Sequence, residues 1–130
     1  MTGPRDRVQV LALLYFGATA GAWTRRPDVH SIVANLDFGA LPEFVWTLIA
    51  VDRRDDHADH TLTFRLKGPG GKQLGPSRHV EISDSSQTDL VVNWGRLLVR
   101  DLIHEPGEYV GELLIDADLA ATNRLVVKTS

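Results

Sequence analysis

"TLTFRLK", Thr61 to Lys67, alternates strictly: Leu62, Phe64 and Leu66 are apolar, while Thr61, Thr63, Arg65 and Lys67 are polar. Successive side chains of an extended chain point to opposite faces. This stretch therefore predicts a strand with one face buried and the other in water. "GPGG", Gly68 to Gly71, comes next. Proline presets the first corner and glycine accepts the positive φ at the next, which predicts a tight turn. "SRHVEIS", Ser77 to Ser83, reads as a further short strand.

Similar signals recur on both sides. Val8 to Phe16 reads as a first strand and Val29 to Phe38 as a second, ended by Gly39 to Pro42. "FVWTLIAV", Phe44 to Val51, is rich in β-branched and aromatic residues and reads as a third. "QTDLVVNW", Gln87 to Trp94, is another. The last two strands form a hairpin: Gly107 to Asp116, a turn at "DADL", and a return from Ala120 to Thr129. Between Leu90 and Leu102 the apolar spacing also suits a helix. Gly95 and the Val91-Val92 pair favour a strand to Trp94, followed by an irregular, partly buried connection.

About eight short strands with Gly/Pro turns predict an all-β chain, a single two-sheet antiparallel β-sandwich of immunoglobulin-like type spanning residues 1–130. In such folds a Tyr just after a Gly turn tucks under the loop, and its hydroxyl bonds to backbone a few residues upstream. Glu105, Gly107 and Tyr109 have that spacing. Tyr109, Leu113 and Ile115 then share one face, with Gly111 leaving room among them.

The chain resembles a family of small bacterial β-sandwich proteins known only as a domain of unknown function. The resemblance lies in "VLALLYFGATA", in "HTLTFRL" with the hairpin "KGPGGKQL", and in "LVVNW" followed by "EPGEYVGELLID". "GRLLVRDLIH" is longer than the usual connection, and "DADL" replaces the usual Asp-Gly hairpin tip. The resemblance implies the sandwich fold and carries no activity.

At 130 residues there is room for one core, and a charged fraction of 24% with 43% hydrophobic residues is ordinary for a globular domain. The net charge of −3 offers no attraction to nucleic acid or to an anionic membrane. With no cysteine, disulfides and thiolate chemistry are excluded. Arg5 and Arg7 before an apolar run, with Ala18-Thr19-Ala20 after it, resemble an export signal, but Asp6 and Gln9 interrupt the pattern. A cytoplasmic protein is the expectation, with export the alternative. The run is too short to cross a bilayer as a helix.

No catalytic or cofactor-binding residue is assigned. "DRRDDHADH" is the sharpest candidate: His57 and His60, with Asp56 and Asp59, offer nitrogen and oxygen donors to a divalent metal. The spacing is no recognised metal motif, so a solvated loop is the expectation. "GPGGKQLG" fails as a phosphate-binding loop, because Gln73 follows Lys72 where Ser or Thr is required. Ser77, Ser83, Ser85 and Ser86 lie in no Gly-x-Ser-x-Gly elbow, which argues against a hydrolase. Trp46 and Trp94 read as core residues, and Trp23 as the tryptophan available for sugar contact.

One feature points to a protein partner. "VLALLYF" and "FVWTLIAV" are apolar on both faces. In the first, Val8, Val10, Ala12 and Leu14 are expected to point one way, and Leu11, Leu13 and Tyr15 the other. A sandwich buries one face of each strand. The second face needs a loop, the "LLVRDLI" segment, or another subunit over it. The expectation is a non-enzymatic interaction module, a homodimer or accessory subunit. The alternative is a ligand-binding domain for carbohydrate or a divalent metal.

Overall fold

The computed structural model describes residues 8–18, 27–53, 58–82 and 89–129. Among them are nine strands: β1 (Gln9–Ala18), β2 (Pro27–Ile32), β3 (Asn35–Asp37), β4 (Val45–Asp52), β5 (His60–Lys67), β6 (Gln73–Ile82), β7 (Leu90–Leu97), β8 (Gly107–Ile115) and β9 (Asp118–Lys128). A four-stranded sheet has the order β2-β1-β4-β7, and a five-stranded sheet has the order β3-β9-β8-β5-β6. The fold is the expected all-β, immunoglobulin-like sandwich. Among the described residues its pairings are antiparallel except one, β3 with β9, which is parallel. Among the described residues no helix is long and apolar enough to cross a membrane.

Period-two burial builds the core as the alternation requires. Leu62, Phe64 and Leu66 are buried, and so are Tyr109, Leu113 and Ile115 in the neighbouring strand. They pack with Leu125 and Val127 of β9, and with Val45, Ile49 and Val51 of β4 from the other sheet. Tyr109 is the expected corner: its hydroxyl donates to the Glu105 carbonyl at 2.6 Å. The turn after β5 is as read, with the Gly71 amide bonded to the Gly68 carbonyl at 2.9 Å.

Three local readings change. The strand expected over residues 29–38 is two strands in different sheets. The Val33 amide bonds to Tyr15 of β1, while the Ala34 carbonyl accepts from Val126 of β9. The chain thus crosses between layers at a single peptide unit. In β1 a bulge lies between Val10 and Ala12, which pair with Val51 and Ala50. The extra residue, Leu11, shifts the alternation by one. Val8, Val10, Leu13 and Tyr15 therefore face the core, and the expected grouping of Ala12 and Leu14 with Val8 does not hold. Third, β7 runs on through Gly95 to Leu97 before a single helical turn, α1 (Val99–Leu102). The segment containing α1 inserts Val99 and Ile103 into the core.

β1 lies between β2 and β4. Cleavage after Ala20 would remove an inner strand of the four-stranded sheet.

Candidate functional site

The two sheets turn different faces to water. In the five-stranded sheet the outward positions are polar. Arg65 Nε donates to Glu112 Oε1 at 2.7 Å, Lys67 Nζ lies 3.3 Å from the same oxygen, and Thr63 Oγ1 is 3.0 Å from His79 Nδ1. In the four-stranded sheet they are largely apolar, apart from Arg96 and the end row of Gln9, Asp52 and Leu90. Strand register sets Ala12, Ala50 and Val92 side by side, then Leu14, Leu48 and Trp94, then Phe16, Trp46 and Arg96. Ile32 of β2 extends the last row.

This face is held together within itself. The rings of Phe16 and Trp94 are 5.5 Å apart, and the Arg96 guanidinium lies 5.3 Å from the Trp46 ring. Much of it is nonetheless open: Val92 is 49% exposed, Trp94 37%, Ile32 62%, and the bulge residue Leu11 51%. Trp94, read from the sequence as a core residue, is a surface residue. Trp46 lies on the same outer face and is half-buried. Strand alternation is the reason: Val91, Asn93 and Gly95 take the inward positions of β7, which leaves Val92, Trp94 and Arg96 outside. The "LLVRDLI" segment does not cover the face, because α1 packs against Gly75 of β6 at the side of the sandwich.

A second cluster lies between the sheets. Arg78 of β6 is paired with Phe64 and points inward. Its Nη1 donates to Thr47 Oγ1 at 2.9 Å, and that hydroxyl donates to the Gly95 carbonyl at 3.0 Å. A β-carbon on residue 95 would lie 1.5 Å from Nη1, so the glycine makes room for the cation. Burial holds the Arg78 guanidinium below its ordinary pKa. Sequence reading passed over this residue. The signal was there: Arg78 shares the period-two face of Val80 and Ile82 in "RHVEI".

The residues considered for metal binding do not assemble in what is described. His60 begins β5, is buried, and has Nδ1 2.5 Å from Asp116 Oδ2, whose Oδ1 accepts from the Thr61 amide at 2.9 Å. It ties the start of β5 to the β8–β9 turn. Asp59 is exposed. His57, Asp56 and Trp23 lie outside the described residues. Arg53, read as part of a solvated loop, is fully buried, and its amide bonds to the Asp89 carbonyl at 2.8 Å. His79 stands on the exposed face, as expected.

No protein-family model matches the chain, and no curated protein matches it. Solved structures do resemble it. One is the alkylpurine DNA glycosylase AlkC of Pseudomonas fluorescens, bound to DNA containing an abasic-site analogue. The TM-score is 0.60 at 10% identity, covering 95% of this chain and 31% of that one. The chain thus spans about a third of the glycosylase it matches, and the likeness is one of fold. An immunoglobulin-like protein from Pseudomonas aeruginosa aligns over 97% of this chain and 100% of its own length, with a TM-score of 0.42 and 11% identity.

Proposed function

We propose that the domain is a non-enzymatic interaction module that pairs with a second copy of itself through the outer face of the four-stranded sheet. The supporting observation is the set of apolar rows across β1, β4 and β7, set against a polar, ion-paired outer face on the other sheet. The three strands β1, β4 and β7, about 4.8 Å apart and paired over roughly eight residues, give a face of roughly 400 Å². That matches the largest apolar patches of soluble monomers, about 300–600 Å², which are often functional. A standard interface buries roughly 800 Å² per partner, so a dimer through this face would be a small one. A largely apolar face is compatible with the same-patch contact of a two-fold dimer.

The reading includes no nucleic-acid partner, because a net charge of −3 and an apolar face give phosphates little to bind. It keeps the chain with the small bacterial β-sandwich proteins that "EPGEYVGELLID" and "HTLTFRL" resemble.

Size-exclusion chromatography with light scattering is the test. Unaltered protein is expected to dimerise in the micromolar range, and Val92→Glu to elute as a folded monomer. An unaltered protein that stays monomeric at high micromolar concentration would end the self-association reading.

A further inference from the structure

β6 and β7 are the outermost strands of their sheets, and the reach of Arg78 to Gly95 shows that these two edges face each other. Between them is a cavity of about 350 Å³. Phe64, Leu66, Leu74, Leu97 and Leu102 give it apolar walls. Arg78 is the inward-pointing cation set among them, with its Cζ 5.6 Å from the centre of the Phe64 ring; Arg96 also borders the cavity, with its guanidinium against Phe44 and Trp46.

The guanidinium is only partly partnered. Nη1 is taken by Thr47. Nε and Nη2 are buried and have no hydrogen-bond partner among the described residues. Among the described residues no carboxylate lies within ion-pair distance of Arg78, although Asp101 lines the cavity from α1. An arginine stays charged in a protein, and a buried charge without a counter-ion is costly. Nε–H and the adjacent Nη2–H are the two parallel donors of the guanidinium side, the pair that receives a carboxylate in bidentate fashion.

We propose that this cavity binds a small organic carboxylate with an apolar body: the Arg78 guanidinium, whose Nε and Nη2 are occluded as it packs here, turns toward the cavity to receive the two oxygens, and the hydrocarbon lies against Phe64, Leu66 and Leu97. The volume is at the lower end of small-molecule sites. At roughly 30 Å³ for each water-sized group it holds a body of about six to ten carbons. An inorganic anion would satisfy the charge and leave the apolar walls unfilled. A neutral lipid would fill the walls and leave the two donors unpaired.

Titration calorimetry with octanoate, octan-1-ol and octylamine tests this on the whole chain. Octanoate is expected to bind with 1:1 stoichiometry, about tenfold or more tighter than octanol, and octylamine not to bind. Arg78→Met is expected to fold, with a melting temperature equal to or above that of the unaltered protein, and to lose the preference for octanoate. Arg78→Lys keeps the charge without the fork and falls between the two. In ¹⁵N-labelled unaltered protein the Arg78 Nε–H resonance moves on octanoate addition, which decides the matter even if Arg78→Met fails to fold. Val92→Glu, on the outer sheet face, binds octanoate as the unaltered protein does, so this result is separable from dimerisation. Absence of saturable octanoate binding at millimolar concentration overturns the proposal. So does a folded Arg78→Met that binds octanoate unchanged, or an Nε–H resonance that does not move.

Discussion

The Tyr15 hydroxyl occupies the space that a side chain at residue 111 would need: a β-carbon on Gly111 would lie 2.2 Å from Tyr15 Oη. From there the hydroxyl donates to the Asn123 carbonyl at 2.9 Å, and the Asn123 side chain donates back to the Leu13 carbonyl at 2.8 Å. A buried polar group of β1 is thus satisfied by β9 across the sandwich, and burial pushes the hydroxyl's pKa up.

Gly111→Ala is expected to cost about 3 kcal/mol or more, because its methyl also meets the Phe64 ring at 2.9 Å and a packed core does not yield. Tyr15→Phe alone should cost about 1 kcal/mol for the lost hydrogen bond. Combined, the two should cost at least about 1 kcal/mol less than their sum, since the second removes the closest clash. Urea denaturation of the four proteins in the cycle measures this.

Tyr109→Phe removes the hydroxyl bonded to Glu105 at 2.6 Å and leaves the ring in the core. The expected loss is about 1–1.5 kcal/mol with an unchanged circular dichroism spectrum. A much smaller loss would mean that the corner is held by ring packing alone.

At the tip of the last hairpin Asp116 has φ 49° and Ala117 has φ 73°. Two positive φ values are what a two-residue turn of the primed type needs, and only the Asp is suited to its position. Ala117→Gly is expected to raise stability by about 1 kcal/mol by relieving the left-handed strain, read as a higher melting temperature.

Glu112 provides a pH test. Burial raises its pKa, but the hydrogen bonds and charges of Arg65 and Lys67 outweigh it and hold the carboxyl below its ordinary value. A depressed folded-state pKa adds stability that is fully present above the unfolded value, about 4.3, and is lost as pH falls through the folded one. Glu112→Gln should therefore cost about 0.5–1 kcal/mol at neutral pH, a modest figure because Arg65 and Lys67 are about a third exposed. The gap to the unaltered protein should close below roughly pH 4.

What could be read before any coordinates were those features that a short window of sequence determines. The alternation at Leu62, Phe64 and Leu66, the turn at Gly68 to Gly71, and the Glu105–Tyr109 spacing each depend on a few neighbouring residues. The misread features depend on distant ones. The bulge at Leu11 comes from register against β4, and the crossing at Val33–Ala34 from the competing edges of β1 and β9. A large ring such as Trp94 reads as a core residue, whereas the inward position belongs to Gly95, which admits Arg78 from another strand. The cavity beside Arg78 joins β5, β6, β7 and α1, and no window of sequence contains it.

The layer crossing at Val33–Ala34 has a consequence for biosynthesis. β3 docks alongside β9, and Tyr15 closes on Asn123, so β3 and the Tyr15 hydroxyl find their partners only when the final described strand has left the ribosome. At about 5–20 residues per second the nascent chain carries β1 and β4, apolar on both sides, for several seconds before the second layer can shut over them. That interval is when a chaperone would meet this protein, and when the inward residues Leu13, Ile49 and Val51 would be most exposed to a misplaced neighbour.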